Sequence, residues 1–174
     1  TKALQIESVL LDGQEAQWSF GAEDDLLGSA LIVYDLSPAS KEVSITYTTT
    51  EGAEAVQWFP AELTQGGRMP FLFTQSQAIL ARTWIPCQDR PGVRFTYNAK
   101  VQVPEGMLAL MSASNPTQKS ATGDYEFTMP QPIPSYLLAL GAGDLEFIAL
   151  GERSGVYAEP EMVRNAAFEF GQTE

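Results

Sequence analysis

The sequence predicts an all-β fold: a string of mostly antiparallel strands closed by one short C-terminal helix. Apolar and polar residues alternate with period 2 along most of the chain, turn-forming pairs separate the alternating runs, and helical spacing appears only near the end. Neither a repeat of fixed period nor a strand–helix alternation is visible, which argues against a solenoid and against a doubly wound sheet.

The first strands are expected at Leu4–Leu11 and Glu15–Phe20, joined by Asp12-Gly13, a pair suited to a tight hairpin. Ala30–Leu36 follows, then Val43, Ile45 and Tyr47 on one face opposite Glu42, Ser44, Thr46 and Thr48 on the other. The clearest alternation sets Val93, Phe95, Tyr97, Ala99, Val101 and Val103 against Arg94, Thr96, Asn98, Lys100 and Gln102, a long half-buried strand. Met107–Ala113 comes next. Asn115-Pro116 and Thr122-Gly123-Asp124 then bracket a polar loop before Tyr125, Phe127 and Met129 resume the alternation. Pro130, Pro132 and Pro134 are expected to stiffen the approach to an edge strand, since proline has no N–H to give a ladder. The last strands are expected at Tyr136–Ala142, Leu145–Leu150 and Ser154–Ala158, with Gly141-Ala142-Gly143-Asp144 read as a turn or bulge. Pro160 suits a first helical turn, Glu161 suits the positive end of the helix dipole, and Met162, Val163, Ala166, Ala167 and Phe170 recur at helical spacing.

Composition narrows the chemistry. Twenty-two acidic residues against ten basic ones give a formal charge of −12 over 174 residues, which repels phosphate backbones and anionic lipid. Nucleic acid and membrane are therefore not expected as partners. No stretch approaches the ~18 consecutive apolar residues of a membrane span, and no basic segment leads into an apolar leader. The single cysteine, Cys87, excludes an internal disulfide framework and leans toward a reducing, cytoplasmic location without fixing one. The absence of histidine removes the commonest general base, the usual activator of serine and cysteine nucleophiles, and the usual zinc ligand. No catalytic residue, metal site or cofactor site is expected in this chain.

The remaining candidates each have a plainer explanation. Cys87 lacks a base and is expected to be a buried structural thiol. The Gly141–Asp144 run lacks the third glycine of a dinucleotide loop. Glu23-Asp24-Asp25, Glu51 and Glu54 fall between strands, without the spacing of a calcium loop. Trp18, Trp58 and Trp84 would serve equally as core anchors or as a stacking platform in a stand-alone β-sandwich binding module for carbohydrate or protein. Gln75 and Gln77, two apart in Phe71–Ala78, would share one side of an extended segment and offer paired amides.

Taken in order, Gln75-Ser76-Gln77-Ala78, Trp84-Ile85-Pro86-Cys87-Gln88-Asp89-Arg90-Pro91, Leu108-Ala109-Leu110-Met111-Ser112-Ala113, Pro132-Ile133-Pro134-Ser135-Tyr136-Leu137 and Ala167-Phe168-Glu169-Phe170-Gly171-Gln172-Thr173-Glu174 closely resemble the N-terminal domain of the leukotriene A(4) hydrolase branch of zinc aminopeptidases. The resemblance covers nearly the whole chain. It implies a saddle-like, mostly antiparallel multi-sheet domain over 1–158, lacking its first strands and so leaving a sheet edge unpaired, with 159–174 beginning the helical catalytic domain. It also implies that Gln75 and Gln77, with the backbone of Ala78, line the pocket for a peptide's N-terminal residue, and that the Gln77–Ala78 peptide bond is cis. Zinc, its HExxH motif and the motif that binds the substrate amine belong to the family's catalytic domain, which would be the partner of this one within the same polypeptide.

Overall fold

Strand β1 (Leu4–Leu11) turns through Asp12-Gly13 into the two-residue strand β2 (Gln14–Glu15), with Leu11 opposite Gln14. Asp12 and Gly13 both have positive φ, 51° and 83°, as a type I′ hairpin requires. The Asp12 carboxylate also accepts the backbone N–H groups of Lys41 and Glu42 at 2.9 and 3.0 Å. Strands β3 (Trp18–Asp24) and β4 (Gly28–Val33) form a separate antiparallel ribbon with an irregularity between Phe20 and Glu23. Its turn is held by Asp24, whose Oδ1 accepts the N–H groups of Leu26 and Leu27. Strand β5 (Val43–Thr49) then returns antiparallel along β1, from Leu11 opposite Val43 to Leu4 opposite Thr49, giving the sheet order β2-β1-β5.

These strands belong to the first of two units that the described residues, 1–173, form in the computed structural model. The first comprises 1–56, 75–93 and 134–136, and the second 57–74, 94–133 and the chain from 137 onward.

Apart from Val56, the second unit holds β6 (Val56–Phe59), β7 (Phe71–Thr74), β9 (Leu108–Met111) and β11 (Leu140–Gly143), a four-stranded sheet ordered β6-β7-β11-β9. The long strands β8 (Arg94–Gln102) and β10 (Asp124–Pro134) pair as a ribbon, and β12 (Glu146–Ala149) pairs antiparallel with β13 (Gly155–Ala158). Leu108, Ala109, Tyr125, Phe127 and Leu145 are its buried centre, and Tyr97, Ala99, Val101 and Val103 pack against them. These are four of the six residues expected to form the apolar face of the long strand. The buried Tyr125 hydroxyl donates to Met107 O at 2.7 Å and accepts from Ser120 N at 2.8 Å, so its polar end is satisfied. Helix α1 (Val163–Phe170) packs on β12 and β13.

An all-β, mostly antiparallel fold with one short helix is what the alternation predicts. Several elements differ in detail. Glu15–Phe20 splits between β2 and β3. Tyr136–Ala142 is not one strand: Ser135–Leu137 forms a 3-10 turn, and only Leu140 onward is extended. Gly141-Ala142-Gly143 lies inside β11, between β7 and β9, rather than in a turn. Its lack of large side chains suits close packing, since a Cβ on Gly143 would lie 2.7 Å from the Phe71 ring. Strand β10, expected around Tyr125, Phe127 and Met129, runs on through Pro130, Pro132 and Pro134, which the unshared edge of a two-stranded ribbon tolerates. Helix α1 starts at Val163, so Pro160 and Glu161 sit in the preceding turn.

Candidate functional site

Gln75 and Gln77 do not lie on a strand. Strand β7 ends at Thr74, and the chain turns back over Gln77–Leu80 into a 3-10 turn at Ala81–Thr83. The reason is local bonding. Gln75 N donates to Ala55 O at 2.8 Å, Gln77 N donates to Gln75 Oε1 at 3.0 Å, and Leu80 N donates to Ser76 O at 2.9 Å. Once the Gln75 side chain has captured a backbone N–H of its own segment, no neighbouring strand is needed to satisfy it. The peptide bond between Gln77 and Ala78 is cis.

Burial alternates sharply here. Gln75, Gln77 and Ala78 are exposed, whereas Ser76 between them is 2 % exposed and its hydroxyl accepts the Trp84 indole N–H at 3.0 Å. Thr83, fully buried, donates to Leu80 O at 2.8 Å and accepts from Ala55 N at 3.1 Å. Ala55 therefore holds both ends of the segment, through its carbonyl to Gln75 and its N–H to Thr83.

Beneath the turn lies a buried carboxylate. Asp89 is 6 % exposed; its Oδ2 accepts both the backbone N–H and the Nε–H of Arg82 at 3.1 Å, and its Oδ1 accepts the Ser135 hydroxyl at 2.5 Å. Arg82 also donates to Asp89 O at 2.9 Å and Leu27 O at 3.2 Å. Nothing in the sequence singles out Ser76, Arg82, Asp89 or Ser135, although Ser76, Asp89 and Ser135 stand inside the quoted motifs. Asp89 stands between Gln88 and Arg90, seven residues after Arg82, in a polar setting that gives no hint of its burial.

Cys87 lies in the same unit and is partly buried. Burial, reinforced by the nearby Asp89 charge, pushes its thiol up to about 11, far from the range of a nucleophile at neutral pH. The three tryptophans form no exposed row: Trp84 is 9 % exposed, Trp18 is half-buried edge-to-face on Phe20, and Trp58 is 58 % exposed. Among the described residues, no three His, Cys, Asp or Glu side chains converge as a metal-binding group, and no helix is long and apolar enough to cross a membrane. With no histidine and one cysteine, the donor set does not fit a zinc centre.

The chain is similar to known proteins over most of its length. The family model for the Peptidase M1 N-terminal domain matches residues 1–137. Leukotriene A-4 hydrolase of Xenopus laevis is 37 % identical over an alignment covering 100 % of this chain and 30 % of that protein. Aminopeptidase B of Rattus norvegicus is 44 % identical over 74 % of the chain and 19 % of its own length. A yeast LTA4 hydrolase solved in complex with bestatin superposes with a TM-score of 0.90 at 32 % identity, covering 99 % of this chain and 27 % of that one. An M1 zinc metallopeptidase from Deinococcus radiodurans, at 22 % identity and a TM-score of 0.58 over 90 % of this chain and 37 % of its own, shares the fold. The chain spans about a third or less of the length of these relatives. On the extent of the family match and the identity to its relatives, the chain belongs to the Peptidase M1 N-terminal domain family.

Proposed function

We propose that this chain is the non-catalytic N-terminal domain of a zinc aminopeptidase, and that Gln75, Gln77 and the backbone of Ala78 form one wall of the cleft that receives the N-terminal residue of a peptide. The observation that carries this reading is the pair of exposed amides on a turn anchored at both ends to Ala55. A peptide's terminal ammonium offers three donors and no acceptor, so a wall that binds it must present oxygen. Gln77 offers its side-chain carbonyl for this, while Gln75 spends part of its own on Gln77 N.

In the proposed parent, zinc would be held by the catalytic domain and would supply an activated water for hydrolysis of the N-terminal peptide bond. The catalytic domain, beginning within 159–174, is the proposed partner, and peptide the proposed substrate. This chain's residues bind and orient; they move no proton.

An aminoacyl-anilide assay tests both halves. The chain alone with added zinc is expected to give no turnover, and turnover would refute the non-catalytic role. In the polypeptide joining this chain to a catalytic domain, Gln77→Ala is expected to weaken substrate binding, and an unchanged KM would sink the cleft-wall reading.

A further inference from the structure

We propose that Asp89 is a positioning residue, which sets the conformation of the Gln75–Ala78 turn by gripping Arg82 on one side and Ser135 on the other. Its importance to a substrate rests on the cleft-wall reading above; its effect on the turn does not.

The geometry carries the inference. The bond from Leu80 N to Ser76 O closes a short loop that contains Gln77 and Ala78, and Arg82 follows two residues later. Asp89 Oδ2 takes the backbone N–H of Arg82 as well as its guanidinium, so the carboxylate fixes the main chain at that point and not only a side chain. Its other oxygen takes the Ser135 hydroxyl, which comes from a distant stretch of sequence. Both carboxylate oxygens and all three guanidinium nitrogens of Arg82 are thereby engaged. A buried ion pair is seldom better for stability than apolar residues of the same volume, because desolvation offsets the attraction. What a fully satisfied network supplies is a single geometry. The part of the fold that needs a single geometry here is the exposed Gln75–Ala78 turn, which ends four residues before Arg82.

Three variants of the chain decide this by NMR: Ser135→Ala, Asp89→Asn and Asp89→Ala. Asp89→Asn keeps the shape and weakens the grip on the guanidinium; Ser135→Ala removes one bond. The side-chain NH2 resonances of Gln75 and Gln77 are expected to shift and broaden in the order Ser135→Ala, Asp89→Asn, Asp89→Ala. The backbone amides of Leu108 and Phe127, in the other unit, should keep their positions. If Asp89→Ala fails to fold, the two milder variants decide. Gln75 and Gln77 resonances that stay put in a folded Asp89→Asn or Ser135→Ala chain overturn the proposal.

A kinetic arm separates it from the cleft-wall reading. In the polypeptide carrying a catalytic domain, Asp89→Asn is expected to raise KM about tenfold while kcat stays within about twofold, the pattern of a lost binding geometry. Shifted amide resonances with unchanged KM would leave the positioning role standing and refute the cleft wall. Unshifted resonances in Asp89→Asn, with a KM raised by Gln77→Ala, would do the reverse.

Discussion

The side-chain oxygen of Gln75 accepts the backbone N–H of Gln77 at 3.0 Å, so the two glutamines are not equivalent. Gln75 shapes the turn; the Gln77 side-chain amide has no hydrogen-bond partner among the described residues and, on the proposed reading, is left for the peptide. Gln77→Ala in the polypeptide with a catalytic domain should lower kcat/KM for short peptides by about tenfold, the worth of one hydrogen bond to a charged group. Gln75→Glu retains the accepting oxygen and should preserve the turn, whereas Gln75→Ala should disturb it. Steady-state kinetics of the three variants checks the order, and equal losses for Gln77→Ala and Gln75→Glu would contradict it.

Cys87 should be slow to label. A thiol titrating at about 11 has a thiolate population at pH 8 about a hundredfold below that of an unperturbed cysteine, so iodoacetamide should react correspondingly more slowly with the native chain than with the chain in denaturant. Burial is the larger cause and the Asp89 charge the next, so Asp89→Asn should speed labelling. The sign for stability follows. The fold favours the neutral thiol, so its contribution is intact below ~8.5 and is lost as pH rises toward 11. Equal labelling rates for native and denatured chain at pH 8 would refute the assignment.

How much of this was legible in sequence depended on the range of the interaction that decides each element. Strand β8 alternates over its whole length because one face meets a core and the other meets water, and the Asp12-Gly13 hairpin is written in two residues with positive φ. Strand β11 gave no such pattern, because residues on both of its faces are partly or fully buried and Gly143 has no room for a Cβ beside the Phe71 ring. The 3-10 turn at Ser135 replaced an expected strand for a related reason: Ser135 is claimed by Asp89, 46 residues away. The glutamines stand out by their spacing two residues apart, but the peptide-binding role expected of them comes only from the resemblance. Their extended geometry was misjudged because a side chain, Gln75, took the hydrogen bond that a strand would have supplied. Local patterns show in one sequence; a buried carboxylate joining segments far apart does not.

Gly123 should resist substitution. Its φ is +77°, and a Cβ there would lie 1.9 Å from Val103 O, while its own carbonyl accepts Val103 N at 2.9 Å. Alanine would face both the left-handed backbone conformation and a collision with main-chain atoms that cannot move without breaking that bond. Gly123→Ala should lose more than about 2 kcal/mol. Urea unfolding checks this. Gly92, around which no atom lies within 4 Å of the added Cβ, is the control and should tolerate alanine.

The turn preceding α1 should loosen in acid. Arg68 donates to Asp144 at 2.8 Å and to Glu161 at 2.6 Å, Lys119 also bonds Asp144, and Gln65 N donates to Glu159 Oε2 at 3.1 Å. The Arg68 hydrogen bond holds the Glu161 carboxyl below its ordinary range. For Asp144, burial opposes ionisation, but the bonds from Lys119 and Arg68 outweigh it and the net direction is also downward. A carboxyl depressed in the fold contributes stability above its unfolded pKa, ~4, and that contribution fades as pH falls through the lower folded value. Hydrogen exchange at Val163 and Ala166, just beyond the turn, should therefore quicken below pH ~4 relative to the intrinsic rate. Arg68→Ala should quicken it already at pH 6 and weaken the pH dependence, because the charge that depresses Glu161 is gone and Asp144 keeps only Lys119. Protection of α1 that is the same in Arg68→Ala and the parent chain at pH 6 would show that the helix is held by β12 and β13 alone.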